Sequence, residues 1–372
     1  MTVPEREILR RIGEKGPITF AEFMDVALFW KDGGYYTCAR TMWGERGDYI
    51  TAIDMSPAFS KVIAGTIHEM WESLLRPDTF ELVEVGAGRG WLSKGIDGTL
   101  KETAPELHKA LRIRLVEKNP FLREAPDGRV TWHGDISELD EIPAGCIISN
   151  ELIDSFPVHR VVGRRGLREF YVGFDGEGFF DIEGEPSDGG LQAYLDRVGA
   201  SLSEGQKAEI NLMAPEWIGS AGRLLASGFV ITIDYGLPAR ELYAPERMEG
   251  TLLCHYRHTI NGNPYVNIGS QDITAHVDFT GLAQAGAAAG LDVTGFTTQK
   301  NFLLGQGILA EMSAADGYDL GNFERIRKNR EITRLIAPGG AGDAFKVLIQ
   351  HKGAGEKPSL RCFSFRDMSS FL

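Results

Sequence analysis

The residues best suited to chemistry stand in four short runs, each placing a polar side chain at the end of an apolar stretch. The first is Glu84-Val85-Gly86-Ala87-Gly88-Arg89-Gly90, with an acid two residues before the first of three glycines. Glycines at this spacing admit a tight turn and close approach by a ligand. A helix opening at Trp91 adds free N–H groups and a positive dipole end. A dinucleotide fingerprint would need its third glycine where Trp91 stands, and it does not call for an acid inside the first strand. Glu84 instead suits a ligand that carries an ammonium group. For this run alone, a strand–turn–helix with no ligand is the alternative.

The second run, Arg112-Ile113-Arg114-Leu115-Val116-Glu117-Lys118, ends in an acid able to accept hydrogen bonds from two ribose hydroxyls. Glu117 lies thirty-one residues after Gly86, against about 20 in a compact dinucleotide unit, so a long helix or an extended loop must intervene. The third, His133-Gly134-Asp135-Ile136, offers a carboxylate for a purine amino group and a backbone N–H from Ile136. In series with these, Glu84 fits the methionine end of S-adenosylmethionine. The fourth, Asn150-Glu151-Leu152-Ile153-Asp154, leaves an apolar strand at the edge where open α/β sheets place ligands. Glu151 and Asp154 share a face if a helical turn starts there; acids favouring a helix dipole are the alternative.

Two carboxylates beside a methyl donor suggest a guanidinium acceptor. That group stays protonated up to a pKa above ~12, so methylating it needs acids that orient it and offset its charge. Methyl transfer is an in-line displacement that rests on alignment and exclusion of water. No covalent nucleophile is required. His159 is placed to act as a base, but at the start of a β run it reads as a packed or surface histidine.

Other chemistries lack their residues. The phosphate-binding G-x-x-x-x-G-K-[ST] run and a G-x-S-x-G elbow are absent, and the histidines, including His255, His258 and His276, lack metal-site spacing. No metal is expected. Cys38, Cys146, Cys254 and Cys362 form no C-x-x-C pair and read as reduced, mostly buried thiols. A net charge of −13 argues against nucleic acid or an anionic membrane as the main partner. No run of ~18 apolar residues predicts a membrane span.

The elements that must position these runs follow from periodicity. Two short helices are expected over 4–30, the second capped by Thr19. A confident amphipathic helix starts at Ser56-Pro57 and carries Phe59, Val62, Ile63, Ile67, Met70, Trp71, Leu74 and Leu75 to about Arg76-Pro77. Strands at 80–85, 112–117, 130–133 and 145–149, with a helix over 91–108, predict parallel pairing with helices on both faces. Residues 157–184 break that rhythm as an antiparallel meander between GRRG and DGEG turns. A helix over 190–204, a strand at 206–213, a helix at 215–227 and a buried strand ending at Asp234-Tyr235-Gly236 come next. Loop-rich 237–275, a helix at 278–289 and strands at 291–296 and 344–350 complete the order.

At this point the chain resembles the MidA-like S-adenosylmethionine-dependent methyltransferases, which include mitochondrial complex I assembly factors that methylate a protein arginine. The resemblance rests on GPITFAEFMDVALF with GGYY, GDYITAIDMS, LVEVGAGRGWL, SNELIDSFPVHR, ITIDYG, and the block from GTLLCHYRHTINGNPYVNIGSQDITAHVDFTGLAQAGAAAGL to TTQKNFLLGQGI. It implies an α/β fold: a seven-stranded, Rossmann-like class I methyltransferase sheet. A helical N-terminal lid region would cover 1–76, the core 77–156 and 229–352, an inserted β-rich and helical substrate region 157–228, and a tail 353–372. The cofactor contacts it implies are Glu84, Gly86, Ala87, Gly88, Gly90, Glu117, Lys118, Asp135, Ile136 and Asn150, with Tyr36, Asp48 and Thr51 from the lid. Asn150, Glu151 and Asp154 would carry catalysis.

Where the family commonly shows T-S-P-E, this chain has Thr51-Ala52-Ile53-Asp54, and Tyr49 replaces a frequent phenylalanine. The implied cofactor is S-adenosyl-L-methionine, with S-adenosyl-L-homocysteine as product. The expected acceptor is a protein arginine, a respiratory-complex subunit being one candidate, with a small molecule as alternative. A non-catalytic scaffold is a further one. A homodimer is admitted. Because the family-like blocks begin within the first twenty residues, no mitochondrial presequence and a bacterial cytoplasmic location are expected.

Overall fold

Near-continuous burial marks the central strands Phe80–Val85, Gly145–Asn150 and Gly228–Leu237. The computed structural model describes residues 1–39, 56–125, 128–312, 323–355 and 357–372. Asp48 and Thr51, and the departures at 49–54, lie outside them. The continuous path of the central sheet is built from β1 (Phe80–Val85), β2 (Leu111–Val116), β3 (Val130–His133), β4 (Gly145–Asn150), β5 (Gly228–Leu237), β6 (Asp292–Thr298) and β7 (Phe345–Lys352). Their spatial order is β3-β2-β1-β4-β5-β7-β6. The first five pair in parallel, and β7 runs antiparallel between β5 and β6. The antiparallel β7 makes the sheet mixed, and the two residues Val277–Asp278 pair in parallel with the end of β5 as an eighth strand, one more than expected. Strand order reverses between β1 and β4, and the crevice at such a switch point is where open sheets bind ligands.

Seven helices matter for the argument: α1 (Val3–Lys15), α2 (Phe20–Phe29), α3 (Pro57–Ser73), α4 (Trp91–Thr103), α5 (Met213–Leu224), α6 (Phe279–Ala288) and α7 (Gln299–Gln306). Helices α3, α4 and α7 cover one face of the sheet, α5 and α6 the other. The stripe on α3 is buried as far as Trp71. Leu75, expected in it, is 90% exposed, because Leu75 and Arg76 take left-handed φ values of 63° and 57° beyond the helix end. The helix expected over 91–108 is split. Ala104 (φ −144°, ψ 66°) separates α4 from a short helix Pro105–Ala110, since a residue before proline is disfavoured in the α region. The two pieces account for the long gap between Gly86 and Glu117.

A second sheet of five strands contains the expected meander, His159–Gly163, Leu167–Phe174 and Phe179–Gly184, together with Lys207–Ile210. Its fifth strand comes from far away in sequence: Ile18 pairs with Val172 and Thr19 with Tyr171. Thr19 then caps α2 by accepting from the Glu22 N–H at 3.1 Å, as expected. The apolar face of α2 is buried against Leu122, Val158, Val172, Ile273 and Ala275.

Residues 237–275 are not simply loop. Leu253–Tyr256 pairs with both Thr259–Asn261 and Asp272–Thr274. The hairpin turns on Arg257 and His258, both at positive φ, the two-residue geometry that matches strand twist but that sequence usually signals with Asn-Gly. A helix at Phe323–Ile336, with only Ile332 and Leu335 buried, also escaped prediction because its apolar stripe is thin. The tail runs beside the sheet edge: Met368 N–H donates to the Phe296 carbonyl at 2.6 Å, and the Phe296 N–H donates to Asp367 at 3.2 Å. Cys146, Cys254 and Cys362 are buried, and all four cysteines are unbridged. Among the described residues no helix is long and apolar enough to cross a membrane.

Candidate active site

The glycine turn after β1 is fixed by left-handed backbone. Gly86, Gly88 and Gly90 have φ of 72°, 55° and 68°. The Gly86 and Ala87 N–H groups both donate to the Val116 carbonyl, at 2.9 and 3.1 Å, locking the turn to the end of β2. A Cβ at Gly86 would lie 2.9 Å from Leu152 Cδ1, and one at Gly90 2.7 Å from Leu115 Cδ1. Glu84 is 4% exposed, and its Oε2 accepts from the Ser93 N–H (3.0 Å) and hydroxyl (2.5 Å). Burial pushes its carboxyl up to about 7; the Ser93 bonds oppose that and the Glu117 charge adds to it.

Glu117 reaches back to the same turn. Its Oε2 accepts from the Gly88 N–H and its Oε1 from the Asn119 N–H, both at 2.8 Å, while burial raises its pKa. Asp135 caps the short turn Ile136–Glu138, accepting from the Ser137 hydroxyl (2.6 Å) and N–H (2.9 Å). These bonds lower its pKa. From the N-terminal region Tyr36 stacks on Phe29 at 5.5 Å and donates to Asp272 Oδ1 at 2.8 Å. Lys118 Nζ lies 4.9 Å from the centre of the Phe29 ring, and Asn119 donates to the Cys38 carbonyl at 2.9 Å.

One cavity of about 390 Å³ is bordered by Tyr36, Glu84, Gly86, Ala87, Gly88, Glu117, Lys118, Asp135, Ile136, Asn150 and Glu151. Of the predicted residues that are described, Gly90 and Asp154 do not border it. Gly90 opens α4 and acts through the backbone; Asp154 is buried behind Glu151. One wall was not foreseen. Met213, Glu216, Trp217 and Ser220 on α5 face the cavity at spacings of three and four. That spacing was legible in the sequence as a helix face, but nothing marked which face met a ligand. In two residues that border the cavity a polar atom, Asn150 Oδ1 and Trp217 Nε1, is buried without a hydrogen-bond partner among the described residues. Such groups are costly unless something completes them.

At the end of β4, Asn150 Nδ2 donates to Glu151 Oε1 at 3.2 Å. Glu151 is left-handed (φ 54°), and a single 3-10 turn, Ile153–Ser155, follows. Glu151 and Asp154 are therefore not on one face of a helical turn, because the left-handed residue separates Glu151 from it. What organises the segment is Asp234 on β5. Its Oδ2 accepts from three successive N–H groups, Leu152 (3.2 Å), Ile153 (2.8 Å) and Asp154 (3.4 Å). Burial pushes Asp234 up to about 7. Asp154 is raised well above the usual carboxylate range, first by burial and then by the charges of Asp234, Asp272 and Glu151. His159 does not border the cavity; its Nδ1 pairs with buried Glu169 at 2.7 Å.

The chain is similar to known proteins. Residues 62–297 match a family described as "Putative S-adenosyl-L-methionine-dependent methyltransferase". A protein arginine methyltransferase NDUFAF7 homolog, mitochondrial, from Drosophila melanogaster is 25% identical over 94% of this chain and 84% of its own length. The protein arginine methyltransferase NDUFAF7, mitochondrial, from Mus musculus is 28% identical over 82% and 74%. A crystal structure of a COG1565 superfamily member and likely methyl transferase from Burkholderia thailandensis, bound to S-adenosyl-homocysteine, is 29% identical. It superposes with a TM-score of 0.88 over 99% of this chain and 96% of that one.

Proposed function

Because the chain belongs to the family of S-adenosyl-L-methionine-dependent methyltransferases, we propose that it methylates a nitrogen of a protein arginine at the end of this cavity. The cofactor fits the residues present. The cavity offers acids for an ammonium and for ribose hydroxyls, glycines that admit a close ligand, and two orphaned buried atoms, Asn150 Oδ1 and Trp217 Nε1. S-adenosylmethionine, when bound, supplies an electrophilic methyl group on a sulfonium.

Glu84 takes the ammonium end; both of its bonds to Ser93 fall on Oε2, so Oε1 accepts neither. Glu117 takes the ribose hydroxyls while keeping the glycine turn in place through Gly88. Asp135 and the Ile136 N–H take the purine edge. Phe29 and Tyr36 close the cavity from the N-terminal region and exclude water, which strengthens every electrostatic contact inside. Helix α2 and the second sheet, joined by the Ile18–Val172 and Thr19–Tyr171 pairs, form the cover through which an acceptor reaches the site.

One observation carries the choice of acceptor. Glu151, Asp154, Asp234 and Asp272 gather near the ends of β4 and β5, close enough for the charges of Asp234, Asp272 and Glu151 all to act on Asp154. Like charges at such density disfavour ionisation until a cation enters. A guanidinium is the cation that stays charged at all working pH values, and the homologous proteins from Drosophila and mouse bear the name of arginine methyltransferases. Glu151 and Asp154 orient it and offset its charge as a nitrogen lone pair turns towards the methyl group.

The test is transfer of labelled methyl from S-adenosylmethionine into a lysate of cells lacking this protein, followed by acid hydrolysis and separation of methylated amino acids. Label in methylarginine is expected. Label only in a small-molecule fraction overturns the acceptor assignment, and absence of heat with S-adenosylhomocysteine on folded protein overturns catalysis altogether. Asp154→Asn should lower the transfer rate more than it lowers affinity for S-adenosylhomocysteine.

A further inference from the structure

Resting on the reading of Glu151 and Asp154 as the acceptor-facing acids, we infer that Asp234 is a positioning residue for methyl transfer, holding the 151–154 turn so that both acids meet the incoming cation. The parallel ladder between β4 and β5 runs up to Asn150 opposite Ile233, and the Glu151 N–H still donates to the Ile233 carbonyl at 2.9 Å. There the ladder stops. The chain turns left-handed at Glu151, and the next three N–H groups have no strand to pair with; Asp234 accepts all three on one oxygen while its other oxygen takes the Tyr235 N–H at 2.8 Å. Buried N–H groups require partners, so the side chain takes over where the backbone ladder ends.

A neutral asparagine could cap those N–H groups as well. The carboxylate is therefore the informative choice, because it adds a fully buried charge to Asp154, Glu151 and Asp272, where each further like charge is unfavourable. Short of taking up a proton, only a cation entering the same place relieves that cost. Asp154 is faced by Glu151 from its own turn, by Asp234 from β5 and by Asp272 from the strand Asp272–Thr274; the Tyr235 phenol lies near Glu151 and Asp154, and the Tyr36 hydroxyl is bonded to Asp272. Removing the Asp234 charge lets Asp154 ionise at lower pH while weakening the hold on the cation.

Asp234→Asn keeps the shape and one oxygen acceptor. It should leave affinity for S-adenosylhomocysteine within about threefold. The initial rate of labelled-methyl transfer into lysate protein at neutral pH should fall by at least about tenfold, the scale of one lost charge-assisted contact in the transition state, and the acid limb of the pH–rate profile should move to lower pH. An unchanged rate and an unmoved limb overturn the inference; an equal loss of cofactor affinity and rate does so too, placing Asp234 in the cofactor site. Asp154→Asn in parallel keeps the two readings apart: if it leaves the rate intact, the assignment of the acids fails, whatever Asp234→Asn does. Should Asp234→Asn not fold, the amide resonances of Leu152, Ile153 and Asp154 in the unaltered protein decide. They should titrate together with the midpoint of the acid limb, and amides that stay still across that range overturn the inference.

Discussion

Glu84→Gln should make this protein more stable in neutral and alkaline solution while weakening its hold on the cofactor. Glu84 is fully buried, and burial raises its carboxyl from 4.5 to about 7. A carboxyl raised on folding stabilises the native state at low pH. That contribution is complete below the unfolded value near 4.5 and is lost as pH rises through the folded value near 7. At ~1.4 kcal/mol per pH unit, a difference of this size amounts to roughly 3 kcal/mol between pH 4.5 and pH 7 and beyond. Glutamine keeps an oxygen for the Ser93 N–H and hydroxyl but cannot ionise, so the variant escapes the loss. Urea unfolding of both proteins at pH 5 and pH 8 measures it: the midpoint of Glu84→Gln should exceed that of the unaltered protein at pH 8 by far more than at pH 5, with equal slopes. Calorimetry with S-adenosylhomocysteine should show weaker binding by the variant, most clearly at pH 8, where the native carboxylate is charged. A stability difference that does not change with pH refutes the burial argument. Unchanged affinity refutes the assignment of Glu84 to the ammonium.

Two further substitutions separate shape from binding. Gly90→Ala places a Cβ 2.7 Å from Leu115 Cδ1 at a left-handed residue, and should cost at least about 1–2 kcal/mol in urea unfolding; a neutral effect would mean the turn relaxes freely. Trp217→Phe keeps the apolar body and removes the orphaned Nε1–H. It should weaken S-adenosylhomocysteine binding several-fold, roughly 1 kcal/mol, with little change in melting temperature; equal binding would show that the donor meets nothing in the complex.

That Glu84, Glu117, Asp135 and Asn150 would come together around one cavity was legible because the determinants are local. Glu84 with its three glycines, Glu117, Asp135 and Asn150 each sit at a strand end, and strand ends follow from short-range apolar patterning. The acceptor end was less so. Whether Glu151 and Asp154 share a helical face depends on one left-handed residue, and that residue is tolerated because Asp234, more than eighty positions away, collects the N–H groups it leaves behind. The α5 wall was legible as a helix but not as a wall, since periodicity tells which residues share a face and not what the face meets. The hairpin at 253–261 lacks the usual turn residues, and the two-residue strand Ile18–Thr19 gains its hydrogen bonds only from a partner distant in sequence, which no local propensity can announce.

The pairing of Ile18 with Val172 also bears on how the protein is made. Helix α2 buries six of its ten residues, yet its partners come from Leu122, Val158, Val172 and the segment from Cys254 to Ala275, and the α1 N-cap Thr2 bonds the Ile268 carbonyl at 2.8 Å. At about 5–20 residues per second, those partners emerge from the ribosome some tens of seconds after α2 itself. Through that interval a strongly apolar helix lacks the partners that bury it in the folded chain. Helix α2 is thus made well before the segments that cover it. Asp25 and Phe29 of α2 border the cavity, so that stretch of its wall has its full set of packing partners only after the segment ending at Ala275 has been made.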